Sequence, residues 1–226
     1  MEKHFSSLQG STLFADIAEE DIQKLYGCLG AQEKSYPCES FIFHEGDEVK
    51  LVYFVLEGSF HIINEDFWGN RAIIETLNKN TLFGEAYVFS GRKQHLVSVI
   101  AAEDSTILAI EPRHLFDCCA QKCLCHEQLI KNLLCIVSEK IVRLTEKTGH
   151  IMQRTTHEKL LSYLSKCAQI EKSSSFDIPY SRQQLADYLC VDRSALSHEL
   201  SKLQKCGMIR YSKNHFELLE NDNELL

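Results

Sequence analysis

Residues 178–210 read IPYSRQQLADYLCVDRSALSHELSKLQKCGMIR, a pattern that predicts two short amphipathic helices joined by a tight turn. Ser181 is placed to cap the first helix, and Gln184 completes a capping box. Asp192 is a favourable N-cap for the second helix, which Gly207 is placed to end. An ordinary helical hairpin is the alternative, but the combined signals favour a helix-turn-helix, a DNA-binding motif.

The apolar residues of the second helix recur at helical spacing. Leu196, Leu200 and Leu203 are separated by four and then three residues, so we expect them to face the core. The outward positions are polar or basic, which suits contact with base edges and phosphates. Base contacts are predicted for Arg193, Ser194, Ser197 and His198. Phosphate contacts are predicted for Ser181, Arg182, Gln183 and Lys202.

The segment that follows the second helix predicts a β-hairpin. Residues 208–211 and 215–218 are the two candidate strands, and Lys213 and Asn214 lie between them. A hairpin in this place would be the wing of a winged helix-turn-helix.

Charge is unevenly distributed along the chain. The net charge is −8, yet residues 150–215 contain ten Lys and Arg against six Asp and Glu. A mildly basic C-terminal module beside an acidic partner fits a regulator with a separate sensing half. The acidic balance also supports a competing hypothesis, a ligand-binding signalling module whose winged helix binds protein.

The length of 226 residues fits one large or two small domains. The chain has no apolar run long enough to span a bilayer, and its polar beginning is unlike a signal peptide. We therefore expect a cytoplasmic protein without membrane association. Its ten cysteines are then expected to be free thiols rather than disulfides.

The chain between about residues 36 and 111 has a different character. Short β-branched or aromatic segments alternate there with glycine or polar turns, which predicts a sandwich or small barrel. The candidate strands are residues 41–43, 52–55, 60–63, 72–74, 97–100 and 106–110. A short helical lead-in is predicted over residues 11–30.

A long helix is predicted over residues 125–148, with Gly149 ending it, and another over residues 156–170. In the long helix, apolar residues are spaced alternately by four and three, which is the seam of a coiled coil. These residues are Ile130, Leu134, Val137, Ile141 and Leu144. The spacing favours a dimer interface, and packing against the chain's own β domain is the alternative.

Taken in order, these motifs resemble the Crp/Fnr family, which includes the cyclic-AMP receptor protein and the fumarate-nitrate regulator. The resemblance extends from about residue 14 to residue 218 and rests on HEGD (44–47), FVLEG (54–58), LFGE (82–85) and DRSALS (192–197). It implies an α+β protein with an N-terminal β-roll, a double-stranded β-helix like a cyclic-nucleotide-binding domain. A long dimerisation helix and a C-terminal winged helix-turn-helix would follow. We place these three domains at residues 1–117, 118–149 and 150–226.

By this resemblance the protein would be a homodimeric transcription regulator. It would bind two half-sites of double-stranded DNA about one helical turn apart. RNA polymerase and a small-molecule effector would be its other partners. Arg193 matches the family's first reading position, whereas Ser194 and His198 replace the usual Glu and Arg. The resemblance therefore implies an altered base preference.

The effector pocket departs further from the family. Gly84 and Glu85 match, but His95 and Leu96 occupy the positions of the Arg-Ser pair that binds the cyclic phosphate. An imidazole and an apolar side chain cannot replace that clamp, so we expect an effector other than cyclic AMP. Arg143 is a further candidate for the pocket, although a solvated helix charge is the simpler interpretation.

Four cysteines lie close together at Cys118, Cys119, Cys123 and Cys125. They leave open a redox-responsive or metal-responsive regulator. Because their spacing matches no common metal motif, we expect neither a metal nor a cofactor. The histidines at 44, 61 and 95 are too far apart in sequence for a cupin metal set, and no nucleophile elbow or phosphate loop occurs. We therefore expect no enzymatic activity.

Overall fold

The computed structural model describes residues 8, 10–66, 68, 71–116 and 124–219. The chain divides into two compact units, Met1–Ser138 and Glu139–Leu226. The boundary lies inside the long helix, and each unit is described by itself. Both contain helices and antiparallel strands, which confirms the predicted α+β class.

The first unit is a β-roll with helices at both ends of its sequence. Its strands form two four-stranded sheets, ordered β1-β8-β3-β6 and β2-β7-β4-β5, and every pair is antiparallel. In chain order its described elements are a 3-10 helix (Thr12–Phe14), α1 (Glu19–Cys28), β1 (Gln32–Tyr36), β2 (Phe41–Phe43), β3 (Val52–Glu57), β4 (Phe60–Glu65), β5 (Arg71–Leu77), β6 (Leu82–Phe83), α2 (Glu85–Phe89), β7 (Ser98–Ala101), β8 (Ser105–Ile110), α3 (Pro112–Phe116) and the first part of α4 (Leu124–Ile151).

Strand β3 separates the two cores of this unit. Tyr53 and Val55 belong to the cluster between the sheets. Val52, Phe54 and Leu56 belong to a second cluster, which also contains Leu residues from α4. Because both faces of β3 are buried, its sequence is a continuous apolar run without alternation.

Each of the six candidate strands overlaps an observed strand, although Val97 of the candidate 97–100 lies before β7, and β1 and β6 were not predicted. Strand β1 has the sequence QEKSY, is exposed along most of its length and pairs only with β8. Strand β6 has two residues. A polar edge strand and a very short strand both lack the apolar pattern on which strand prediction depends.

The second unit is a winged helix-turn-helix, as predicted. Its two hairpin strands pair in register with Ser212 opposite His215, and a third strand extends the sheet in the order β10-β11-β9. After the end of α4 its described elements are α5 (Thr156–Glu171), β9 (Ser175–Asp177), α6 (Arg182–Tyr188), α7 (Arg193–Lys205), β10 (Ile209–Ser212) and β11 (His215–Leu218). Leu196, Leu200 and Leu203 are buried in its core, which confirms the predicted buried face.

The ends of α6 and α7 differ in detail from the prediction. Ser181 and Gln184 form the expected capping box. Asp192 is the N-cap of α7, but its side chain makes no capping hydrogen bond. Cys206 is the C-cap, and Gly207 follows it with φ of 72°. Gly207 therefore occupies the left-handed position just beyond the helix, where glycine carries no Cβ penalty.

The prediction that Gly149 ends the long helix is wrong. Helix α4 continues to Ile151. A glycine inside a helix costs only about 1 kcal/mol, and the next residue, His150, gains contacts by staying helical. Its ring lies edge-on to Tyr163 with centroids 5.7 Å apart, and its Nδ1 lies 2.8 Å from the Ser162 hydroxyl.

Helix α4 presents an exposed apolar row. Leu134, Ile141 and Leu144 are 61%, 58% and 64% exposed, while Ile130 and Val137 of the same predicted seam are partly buried. Leu129 and Leu133, which lie outside the seam, are buried in the first unit. Among the described residues, no helix is long and apolar enough to cross a membrane.

Candidate nucleic-acid interface and sensor pocket

Helix α7 has one buried and one exposed face. The leucines of the buried face pack against α5, α6 and the wing in a single cluster. All five polar positions predicted to meet DNA from this helix are exposed: Arg193, Ser194, Ser197, His198 and Lys202. This face presents side chains of the kind that read base edges and phosphates in a major groove.

The acidic residue of α7 is turned towards the protein. Glu199 accepts a hydrogen bond from His157 of α5, with Oε1 and Nδ1 2.7 Å apart, and its side chain is 12% exposed. Lys202 lies 3.7 Å from the same oxygen. The carboxylate is thereby withdrawn from the exposed face, which keeps the negative charge away from a bound phosphate. Sequence reasoning missed both Glu199 and His157, because only packing shows which way this carboxylate faces.

Lys159 supports the turn between α6 and α7. Its Nζ donates to the carbonyl oxygens of Leu189 and Cys190, at 3.2 and 3.5 Å. Cys190 has φ of 51°, a left-handed conformation that a cysteine seldom adopts. A cation at the end of α6 also interacts favourably with the helix dipole. Lys159 therefore helps to fix the angle between the two helices of the motif.

The residues at the start of α6 that are predicted to contact phosphates differ in their exposure. Ser181 accepts the amide of Gln184 as a helix cap, and Gln183 donates to Asp187 at 2.9 Å. Both residues are exposed. Arg182 is half-buried and bonds to the backbone of the wing.

In the first unit, Gly84 and Glu85 begin α2. Gly84 has φ of 82°, and a Cβ there would lie 3.2 Å from the carbonyl oxygen of Leu51. The turn therefore requires glycine both for its left-handed backbone and for the close approach of Leu51, the residue before β3. Glu85 is 4% exposed, so the start of α2 brings a carboxyl group inside the roll.

His95 lies inside the roll, in contact with aromatic rings. Its imidazole stacks on Phe43 with centroids 3.7 Å apart, and the Tyr87 centroid is 5.0 Å away. The backbone of His95 pairs with Asp47 and Gly46. Its Nδ1 is buried and has no hydrogen-bond partner among the described residues. Burial lowers the pKa of His95, and the Asp47 charge opposes this shift, so the ring is neutral at pH 7.

The other two predicted pocket residues have exposed side chains. Leu96 follows His95 but is 52% exposed. Arg143 is exposed on α4 within the second unit. Burial raises the pKa of Tyr180 in that unit, and the Arg143 charge acts in the opposite direction. The contribution of either residue to an effector site stays a prediction.

The cysteine cluster falls largely outside the described residues, because only Cys125 of its four members is described. The described residues contain no group of three or more His, Cys, Asp or Glu arranged to hold a metal ion. Five of the described cysteines are free thiols: Cys38, Cys135, Cys167, Cys190 and Cys206.

Two family models match the chain. The cyclic nucleotide-binding domain matches residues 33–122, and the Crp-like helix-turn-helix domain matches residues 158–222. The first match contains the roll with Glu85 and His95, and the second contains α6, α7 and the wing. Both halves of the predicted architecture are thus recovered in the expected order.

Known proteins of similar sequence are transcription regulators. The cAMP-activated global transcriptional regulator CRP of Salmonella typhimurium is 22% identical over 179 residues, covering 77% of this chain and 83% of that protein. A probable transcriptional activator of Rhizobium leguminosarum bv. viciae is 27% identical over 199 residues, covering 83% of this chain and 76% of that protein. The solved structure of the c-di-GMP responsive global regulator CLP of Xanthomonas campestris has a TM-score of 0.56 at 16% identity, covering 89% of this chain and 100% of that one. This last likeness shows a shared fold.

Proposed function

This chain belongs to the Crp/Fnr family of DNA-binding transcription regulators, and we propose that it acts as a homodimer controlled by an effector other than cyclic AMP. We further propose RNA polymerase as the partner of the DNA-bound protein, because the similar proteins include a probable transcriptional activator.

The exposed polar face of α7 carries the proposal for DNA. Base edges would be contacted by Arg193, Ser194, Ser197 and His198. Arginine can bind guanine O6 and N7 with two hydrogen bonds, whereas histidine is a weaker donor. Ser181, Gln183 and Lys202 would contact phosphates. Since Glu199 is withdrawn towards His157, no carboxylate of α7 opposes this approach.

The exposed row on α4 supports the dimer. Leu134, Ile141 and Leu144 are more than half exposed in the single chain, although they belong to the five-residue row of alternate four- and three-residue steps. Leucine and isoleucine at such positions are normally covered by a second helix. A second copy of the chain presents the same row, so a two-fold symmetric pair would bury both. The two recognition helices would then read two half-sites.

The interior of the roll supports an effector without a cyclic phosphate. At the position of the family's clamp arginine, His95 is buried, neutral and stacked on Phe43. At the position of the clamp serine, Leu96 is exposed and apolar. Neither side chain can donate the charge-assisted hydrogen bonds that an anionic phosphate needs. Gly84, Glu85 and His95 remain the proposed core of the sensor pocket.

Selection from a pool of random duplexes tests the DNA proposal. The full chain should enrich a two-fold symmetric sequence, and its affinity should fall steeply as the salt concentration rises, because binding releases counterions. An unenriched pool together with salt-independent binding would instead favour a winged helix that contacts protein.

A further inference from the structure

Arg182 and the wing are joined by more than one contact. Arg182 Nη2 donates to the carbonyl oxygen of Lys213 at 3.0 Å. The guanidinium carbon also lies 5.0 Å from the ring centroid of Tyr211 and 5.6 Å from that of Phe216. One side chain at the start of α6 therefore contacts both strands of the hairpin and the turn between them.

The two rings form a platform that is itself part of the core. Phe216 is buried, and Tyr211 packs against it with centroids 5.8 Å apart. A guanidinium near aromatic faces gains cation–π energy, and its planar shape allows stacking that an ammonium group cannot reproduce. Burial lowers the pKa of Arg182, with Tyr211 acting in the opposite direction. This direction follows from the half-buried position of the side chain.

The tip of the wing is held on two sides. The carbonyl of Asn214 accepts the amide of Ile178 at 2.9 Å, and the carbonyl of the neighbouring Lys213 accepts the guanidinium of Arg182. Lys213 has φ of 52°, a conformation that a non-glycine residue adopts only at a cost. Without Arg182, this turn would keep the hydrogen bond from the Ile178 amide but lose the one from the guanidinium.

We propose that Arg182 is a positioning residue, which fixes the wing relative to α6, rather than a phosphate contact. The neighbouring Ser181 and Gln183 are exposed, whereas Arg182 is half-buried and donates from Nη2 to the wing. The exposed Lys213 and Asn214 are thereby held in one place beside the recognition helix. The consequence for DNA rests on the proposed function, but the contact itself can be tested in the free protein.

Amide hydrogen exchange of the free full-length protein provides the first test. In Arg182→Ala, the amide of Ile178 should exchange about tenfold faster, since roughly one hydrogen bond and one cation–π contact are lost. Gln183→Ala is the matched control, because Gln183 is adjacent and bonds to Asp187 instead of the wing. Equal exchange at Ile178 in wild type and Arg182→Ala would overturn the proposal.

The salt dependence of binding to a random-sequence duplex provides the second test. Removing a phosphate contact lowers the slope of log K against log salt by about 1. Lys202→Ala, which removes an exposed cation of α7, should show that loss. Arg182→Ala should weaken binding yet keep the wild-type slope, and Arg182→Lys should also weaken it despite keeping its charge. A reduced slope in Arg182→Ala, with full affinity in Arg182→Lys, would identify a phosphate contact and overturn the proposal.

The two tests separate the proposals. A wild-type chain that binds no duplex at low salt would contradict the proposed DNA-binding function. The exchange of the Ile178 amide would still decide whether Arg182 holds the wing.

Discussion

The imidazole of His95 lies almost parallel to the ring of Phe43, with an angle of 12° between the planes and 3.7 Å between the centroids. Stacking at this distance fixes the imidazole inside the roll, where His95 is 1% exposed. In the proposed sensor pocket, a neutral aromatic pair thus stands where the family resemblance assigns a charged clamp. The pair bears on both the stability and the ligand of the first unit.

Acid should destabilise the first unit through His95. Its folded-state pKa is lowered from 6.5 by burial, so the unfolded chain binds more protons below that pH. The free energy of unfolding therefore falls as the pH drops from 6.5 towards the folded-state pKa. Calorimetric unfolding of His95→Phe should show a smaller loss over this range than wild type. His61→Gln, which changes a partly exposed histidine, should behave as wild type. An unchanged pH dependence in His95→Phe would contradict the assignment.

Cyclic AMP should not bind the wild-type chain. Titration calorimetry at millimolar nucleotide should give no heat of binding, because the guanidinium and hydroxyl of the clamp are absent. This result corresponds to a binding free energy of about −4 kcal/mol or weaker. Leu96→Ser restores the hydroxyl alone and should still not bind cyclic AMP. The double variant His95→Arg with Leu96→Ser contains both groups of the clamp. It should bind cyclic AMP more tightly than wild type, provided that the position beside Phe43 accommodates the longer arginine side chain. Tight binding by wild type would refute the effector proposal.

Ile141 and Val142 provide a matched pair for the dimer. They are adjacent in α4 and almost equally exposed, at 58% and 56%, but only Ile141 belongs to the four- and three-residue row. Ile141→Glu should place a carboxylate at the contact of two helices and dissociate the dimer. Val142→Glu should leave the mass of the particle in solution equal to that of the wild-type dimer. Light scattering after size exclusion measures both, and equal masses for the two variants would contradict the seam.

Arg193→Ala should relax base preference. Loss of a bidentate contact to guanine costs about 1–3 kcal/mol at one base position. Binding to the selected duplex and to single-base variants of it should show the penalty at that position in each half-site. Lys202→Ala should instead weaken all duplexes by a similar factor. An unchanged base preference in Arg193→Ala would argue against placing α7 in the groove.

Two glycines with similar backbones should differ in tolerance. Gly58 and Gly46 have φ of 76° and 87°, so alanine at either position costs about 1–2 kcal/mol for the left-handed conformation. A Cβ on Gly58 would also lie 2.9 Å from the carbonyl oxygen of Asp104 and displace Ser105, whereas one on Gly46 would meet nothing within 4 Å. We expect Gly58→Ala to lower the unfolding free energy of the first unit by about 3 kcal/mol or more. Urea unfolding curves of equal midpoint for both variants would contradict this.

Local signals in the sequence predicted most elements of both units. The capping box of Ser181 and Gln184, the leucine spacing of α7 and the turn at Lys213 were all confirmed, because each depends on residues close together in the chain. Strand β1 could not be predicted in this way, since its polar residues are strand only through pairing with β8. The prediction at Gly149 was wrong because the contact of His150 with Tyr163 favours continuation of the helix to Ile151.

The sequence by itself determined the order of the two halves, the amphipathic pattern of α7 and the His-Leu pair at residues 95–96, because residue identity and spacing decide these features. Only the tertiary structure decided which charged and polar side chains are exposed for contact with another molecule. In that structure Glu199 accepts a hydrogen bond from His157, Arg182 donates one to the wing and His95 stacks on Phe43. These contacts join residues 31 to 52 positions apart in the chain, and no local pattern records which side chains the packing of distant elements will bring together.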